Sequence, residues 1–456
     1  AVRFGQPFGH AGSLSDFAHA ASSMRPSTRT LYILSFGLLL GTGLPVRGGA
    51  QPLPPPAAPD TGRVSDASAH AAPEPYATSR SVAYHVLAAP AYALHAATRP
   101  LGWAAQYVEQ EFPNLFKPRR PPRGVVPRVD LGGPAGLLVG LAVYDNHVLG
   151  SRHRARLEGL YGGPDTFESE AVYTVPAPFG RGTRVRLAAN FFSDPESNFY
   201  LDGNDSVLDA DKAEFSRDQV DVAAGLRARL PGRAYRGEVE LLYEHVDTAL
   251  DGATAASPAG LGTADLLTAG LTLAADFTDG PPRRSGGTAL ILRLDYSHDL
   301  TDDRYRYGRY VAEVRQYVPV GFLPEARRLA LRGRLEQAGP LFGGTDVPFY
   351  QLPNLGGQTS LRGFRSRRFQ DDGSLVLNAE YRYPIWSNVD AAVFVDAGQV
   401  FGDRADVRAD RFHWSYGGGL HVLNRNGLSA RLEVAGSTEG VRTVITVEPT
   451  FQRVAR

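Results

Sequence analysis

Residues 234–244 read AYRGEVELLYE. In an extended chain, successive side chains point to opposite faces. Tyr235, Gly237, Val239, Leu241 and Tyr243 therefore share one face, and Arg236, Glu238, Glu240 and Glu244 share the other. The division recurs in RLALRGRLE, where Leu329, Leu331, Gly333 and Leu335 oppose Arg328, Arg332, Arg334 and Glu336. It recurs again in GLSARLEVA, where Leu428, Ala430, Leu432 and Val434 oppose Ser429, Arg431 and Glu433. A soluble sandwich also alternates, but its core face is denser in large aliphatics and less tolerant of glycine. Here the apolar faces carry tyrosines near strand ends, as in a strand between lipid and a wet lumen.

Composition narrows the alternatives. The chain has 456 residues, no cysteine and zero formal net charge. This argues against a disulfide framework and against nucleic acid as a partner. Lys117 and Lys212 are the only lysines, so nearly every cation is arginine. From Met24, the chain has a basic start at Arg25 and Arg29, an apolar run from Leu31 to Leu44 and small residues up to Ala50, the pattern of a secretory signal peptide over 24–50. Residues 1–23 then read as an upstream mis-translated extension. A transmembrane anchor needs about 20 apolar residues, more than this run supplies. After residue 51 no apolar stretch reaches that length, so a membrane-resident chain must close a sheet on itself.

Residues 51–80 are rich in proline and alanine and read as a disordered linker. Over 81–118, Val82, Val86, Leu87, Leu94, Leu101, Ala105, Val108 and Phe112 recur near helical spacing, with Pro90 and Pro100 as kinks, and predict a short amphipathic helix. Two readings stand for it: it lies on the membrane or plugs a pore, or it is a packed spacer. From 123 to 456 the period is two. Turn residues divide this region into segments near 124–132, 136–145, 151–162, 166–177, 182–193, 214–230, 234–248, 263–277, 286–298, 305–320, 327–338, 374–385, 389–401, 411–423, 427–436 and 441–452. The expected fold is all-β, a 16-stranded antiparallel transmembrane barrel preceded by the helix. The even number lets antiparallel strands close without an edge.

The longest connection, about 340–373, contains GGQTSLRGFRSRRF at 356–369, four arginines among glycines and aromatics. A loop of this length that also carries Phe349, Tyr350, Leu355, Leu361 and Phe364 is expected to fold back on something. In the next strand, SLVLNAEYRYPIW, Leu375, Leu377, Ala379, Tyr381 and Tyr383 form the lipid set, leaving Asn378, Glu380 and Arg382 in the lumen. In NVDAAVFVDAGQVF, Val389, Ala391, Val393 and Val395 face lipid, while Asp390, Phe394, Asp396 and Gly398 point inward. A short turn at Trp386–Asn388 places Glu380 nearly opposite Phe394, with Asp396 on the diagonal about 7–8 Å away. Arg362, entering from the loop, could then pair with both acids through its planar fork, with Gly363 allowing a close turn. The alternative is that Arg362 is one of many solvated arginines and the acids line a wet pore.

LGGQTSLRGF, followed by EYRYP and FVDAG, resembles the C-terminal barrel of the BamA/TamA family, the bacterial surface antigen barrels. The resemblance is strongest over 345–401 and fits the strand layout from 124 onward. It implies a bacterial outer-membrane location and work in inserting or translocating proteins, or lipid. It also implies that the loop arginine binds acids on the twelfth and thirteenth barrel strands, here Arg362, Glu380 and Asp396. With Gly363, Phe364 and Gly398 these form the candidate lumen-loop anchor. The family's weak seam between first and last strands would match Pro127 and Pro449, each lacking a ladder donor. The other reading puts both prolines just past the paired stretch. The chain departs from the family in two ways: 51–122 reads as linker plus helix rather than a periplasmic POTRA domain, and FQRVAR lacks the terminal aromatic, although Phe451 is close.

Three functions follow for weighing: a POTRA-less insertion or translocation barrel, a passive pore with a charged lumen, and an outer-membrane enzyme. The sequence has no G-x-S-x-G elbow and no H-E-x-x-H pair; His153, His245 and His298 lie on separate strands, and His413 and His421 are eight residues apart on another. No catalytic residue, metal or cofactor is therefore expected. The expected partners are outer-membrane lipid, unfolded outer-membrane or secreted protein substrates, and a separate periplasmic protein.

Overall fold

The computed structural model describes residues 122–446, apart from 134–135, 164, 201–202, 207–211, 233, 252–257, 279–285, 321–326, 345, 387–388 and 425–426, together with Ala96 and Pro100. The expected extension, signal peptide and linker lie outside the described residues. So do the helix over 81–118, apart from Ala96 and Pro100, the question of a POTRA domain, and Pro449.

Sixteen antiparallel strands form the barrel wall. They are β1 (Arg123–Gly133), β2 (Gly136–Asp145), β3 (Arg154–Gly163), β4 (Thr166–Pro176), β5 (Arg184–Tyr200), β6 (Lys212–Arg229), β7 (Tyr235–Asp251), β8 (Gly262–Asp276), β9 (Gly287–Asp299), β10 (Arg306–Pro319) and β11 (Arg328–Pro340), then β14 (Gly373–Trp386), β15 (Val389–Phe401), β16 (His413–Asn424), β17 (Gly427–Ser437) and β18 (Gly440–Thr446). Each pairs with its sequence neighbour, and β1 meets β18 with Leu131 opposite Ile445, closing the sheet. Between β11 and β14 the chain leaves the wall and forms its own two-stranded ribbon, β12 (Asn354–Leu355) with β13 (Phe369–Gln370).

Every strand expected from the sequence is present, the last only as far as Thr446 because 447–452 lie outside the described residues, and one other differs substantially in extent. β5 continues beyond the expected end at 193, through Pro195, to Tyr200. A bulge between Asp194 and Ser197 absorbs the proline. The Asp194 carboxylate takes the Glu196 backbone N–H at 3.2 Å and the Ser197 hydroxyl at 2.6 Å. The Asp-Pro signal that ends a strand in most sequences here marks a kink within one.

The two faces separate as the alternation requires. Val239, Leu241, Leu292, Leu377 and Val434 stand exposed on the outer face. Tyr235 packs edge-on to Phe277 at one rim and Tyr296 to Phe342 at the other, the positions of interfacial aromatic girdles. Inward charges pair across strands: Arg128 with Glu158 at 3.0 Å, Arg227 with Glu238 at 2.7 Å, Arg293 with Glu240 at 3.1 Å and Arg332 with Glu313 at 3.0 Å. Above the apolar band of β7 and β8 the outer face turns polar. There Asp265 accepts hydrogen bonds from Tyr243 and Thr301 and pairs with His245. The expected lipid set is not open everywhere. Tyr383, Val389 and Ala391 are buried. Tyr383 lies opposite Ala391, stacks on Tyr381 and is covered by the Arg327 guanidinium 5.7 Å from its ring.

If β7 faces hydrocarbon as described, Val239→Arg should lower unfolding stability in lipid vesicles by about 2–4 kcal/mol. Phe179→Arg, at an exposed turn, should change it little. Urea titration followed by tryptophan fluorescence measures both.

Candidate functional site

The segment after β11 is shaped by two glycines with positive φ, Gly356 at 116° and Gly357 at 78°. A Cβ on Gly356 would lie 2.0 Å from the Arg365 carbonyl oxygen, so the backbone crosses itself at a distance only glycine permits. The Ser360 hydroxyl ties this turn together, accepting from the Gly356 N–H at 2.8 Å and donating to its carbonyl at 2.9 Å.

Two apolar contacts seat the loop in the lumen. Leu355, Leu361, Phe364 and Phe369 pack with Val376 of β14 and Val400 of β15. Phe369 also stacks on His413 with ring centroids 3.9 Å apart. On the opposite wall, Phe349 and Tyr350 join Phe199, Phe215, Val246, Leu266 and Tyr307, and Phe349 meets the Phe215 ring edge-on at 4.7 Å. Those wall residues face inward, so the lumen wall carries apolar patches where these loop side chains rest.

Arg362 lies between these contacts, 1% exposed. Its Nε and Nη2 grip Asp396 at 3.0 and 2.7 Å, and its Nη1 reaches Glu380 at 2.8 Å and Glu433 at 3.1 Å. Its backbone N–H also donates to Asp396, at 3.2 Å, and its guanidinium carbon lies 3.4 Å from the centre of the Phe394 ring. Burial alone would lower the pKa of this group. The facing carboxylates of Asp396, Glu380 and Glu433 outweigh burial and raise it, so the cation persists.

Each acid is held in turn. Asp396 accepts from Asn378 at 2.8 Å and from Ser415 at 3.0 Å. Glu380 pairs with Arg382, and Glu433 is 3.0 Å from His421 Nε2 and 3.2 Å from Arg431. Wall side chains also seize the loop backbone: Arg332 donates to the Thr359 carbonyl at 2.6 Å, Asn378 to that of Ser360 at 2.8 Å and Arg431 to that of Gln358 at 2.9 Å.

The structure thus brings all six sequence-derived residues together. Glu380 sits directly opposite Phe394, and Asp396 opposite Asn378. Gly363 serves close approach rather than a turn: a Cβ there would lie 2.6 Å from the Gly436 carbonyl oxygen and 2.8 Å from Ser415 Cβ. Gly398 leaves room for Leu355 and Leu361, and Phe364 is part of the apolar seat. Sequence reasoning missed Glu433 as the third acid. It had placed Glu433 on the inward face of its strand, but register across β16 decides that it reaches Arg362. Gly417 and Gly419 are the signal: a Cβ would lie 2.6 Å from the Phe394 ring at the first and 2.7 Å from Glu433 Cγ at the second. Glu380, His421 and Glu433 also bring ligand atoms within 4.8 Å of one another, close enough for a metal ion. Arg362 already occupies both carboxylates and Arg382 and Arg431 flank them, so a divalent cation would meet three guanidiniums.

The Omp85 superfamily domain matches residues 148–428 of the sequence. In fold the chain is similar to BamA from Haemophilus ducreyi lacking POTRA domains 1–3, with 17% identity and a TM-score of 0.52, covering 72% of this chain and 70% of that one. It is also similar to CdiB from Escherichia coli, with 13% identity and a TM-score of 0.52, covering 72% and 63%. No curated protein matches the sequence. Identities this low speak to the fold alone.

Arg362→Ala would leave three buried carboxylates facing one another and should lower stability by about 3–5 kcal/mol. Arg362→Lys should recover only part of that, since an ammonium cannot bond Asp396 through two nitrogens. Gly363→Ala should loosen the loop by steric contact alone. The temperature at which the folded band is lost on a semi-native gel reads all three.

Proposed function

The chain belongs to the Omp85 superfamily, and from that premise we propose that it inserts proteins into the bacterial outer membrane or passes them across it, using a barrel whose lumen loop is anchored by Arg362. The outer-membrane location and the barrel follow from the family. Protein cargo, the anchoring role of Arg362, Gly363, Phe364, Glu380, Asp396 and Gly398, and the lack of any catalytic step are the reading itself.

The observation that carries it is the loop over 341–372 held inside the barrel by one cation and three acids. Outer-membrane barrels turn their longer loops to the cell exterior, and at that rim neighbouring loops close over the same segment. Asn204, between β5 and β6, accepts the Val400 N–H at 3.0 Å and donates to the Arg411 carbonyl at 3.0 Å. Arg368 of the loop donates to Ser206 and pairs with Glu439, at 2.5 Å, beyond β17. A lumen crossed and capped in this way suits a barrel whose work is done at its wall better than an open conduit.

A urea-denatured eight-stranded outer-membrane protein, diluted into vesicles containing the purified chain, should fold several-fold faster than into empty vesicles, and Arg362→Ala should remove that acceleration. Planar-bilayer recordings should show little steady conductance in the unsubstituted chain. Unaccelerated folding together with a steady open current would identify a passive pore with a charged lumen instead.

A further inference from the structure

A second group of guanidiniums lies apart from the Arg362 clamp and is not absorbed by the reading above. Arg217 of β6, Arg309 of β10 and Arg367 of the loop converge on the Tyr350–Gln351 turn. Arg367 donates to the Tyr350 carbonyl at 3.1 Å, and Arg309 donates to the Gln351 backbone carbonyl and, at 3.0 Å, to its side chain. The Arg217 guanidinium carbon lies 5.2 Å from the centre of the Tyr350 ring.

Counter-charge is short at this turn. Among the described residues, Arg217 and Arg367 have no carboxylate within ion-pair distance. Arg309 has Glu336 at 3.7 Å, and Glu336 is held more closely by Arg334, at 2.6 Å. The nearby acids are Asp194, already bonded by Ser197, and the pair Asp221 and Glu244, which sit opposite one another on β6 and β7. Both are already engaged: Gln219 donates to Asp221 at 2.6 Å, and Gln351 donates to Glu244 at 3.0 Å. Arg367 feels neither. Burial, followed by repulsion from Arg217 and Arg309, pushes its pKa down to about 9.

Donors are left over as well. Among the described residues, the Nε atoms of Arg217 and Arg367 and the hydroxyl of Tyr350 are buried without a hydrogen-bond partner, and Arg309 Nε has only the Glu336 carboxylate at 3.7 Å. Tyr350 is 3% exposed and the three arginines are half-buried, so each guanidinium keeps some surface on the lumen while its Nε is covered. Arg367 is also held at φ 56°, a left-handed conformation that a non-glycine residue adopts at a cost and that clusters at binding sites.

We propose that Arg217, Arg309 and Arg367, with the Tyr350 hydroxyl, form a lumen site for a phosphate-type oxyanion. A tetrahedral dianion offers oxygens in several directions, and guanidinium edges arriving from two walls and a loop can each meet one. The ligand would supply the negative charge that the protein withholds from Arg367. The same chemistry is presented by free phosphate and by the phosphorylated sugar of an outer-membrane lipid headgroup.

Calorimetric titration of the full chain, folded in detergent micelles, with inorganic phosphate should show saturable binding. Arg367→Gln and Arg217→Gln should each weaken it by about tenfold or more. Arg365→Gln, an exposed arginine outside the group, should leave it unchanged. Glucosamine 1-phosphate in the same titration separates the sources: tighter binding than phosphate points to a lipid headgroup, and equal binding to the free ion. A heat-shift gel confirms that each variant is folded, and Arg217→Gln carries the test if the loop variant does not fold. No saturable phosphate binding in the unsubstituted chain, or binding undiminished in the folded arginine variants, overturns the site.

Discussion

Hydrocarbon offers no hydrogen bonds, and that constraint organises the molecule. A chain with no apolar stretch long enough for a spanning helix must satisfy its backbone by closing a sheet. Closure then turns about half of the wall's side chains toward an enclosed space. Those side chains need water or partners of opposite charge, and the cross-strand arginine and acid pairs around the wall are the result. At β14, β15 and β17 the wall instead presents Glu380, Asp396 and Glu433 in one small volume. Three carboxylates so placed repel one another unless a cation stands between them.

Arg362 is that cation, and its geometry explains why arginine suits the place. The planar fork takes both oxygens of Asp396 while its remaining amino group spans Glu380 and Glu433, and the flat face lies over Phe394. A buried ion pair need not stabilise a fold relative to well-packed apolar residues, but removing one partner is strongly unfavourable. On the proposed reading the clamp is mainly a specificity device that directs the loop, while the apolar contacts on either side provide the burial. Phe349 and Tyr350 on one wall, and Leu361, Phe364 and Phe369 on the other, give this barrel a small core of the kind soluble domains have.

The same loop carries two arginine environments with opposite electrostatics. Arg362 is surrounded by more negative charge than it carries, whereas Arg367, five residues on, has like-charged neighbours and, among the described residues, no acid in reach. The first is complete within the protein. The second is left short of negative charge among the described residues, and this asymmetry is the ground for the proposed oxyanion site.

Much of this was legible in the sequence. The alternation in AYRGEVELLYE and its repeats, broken only by single residues such as Leu242 and Ala330, determines the strands and their inward and outward faces, because the period of an extended chain is two whatever the strand's neighbours. The short turn after Trp386 brings Glu380 near Phe394, but a bulge between Pro384 and Trp386 is what sets the two directly opposite. Only the closed tertiary structure decided the rest. Glu433 joins Arg362 because β16 and β17 bring it there, a relation between residues 71 apart along the chain that no local pattern encodes. The apolar lumen wall at Phe215, Val246 and Leu266, the glycines that make room at 417 and 419, and the passage of β5 through Pro195 depend likewise on what lies opposite. Periodicity tells a side chain which way to face; curvature and closure choose what it meets.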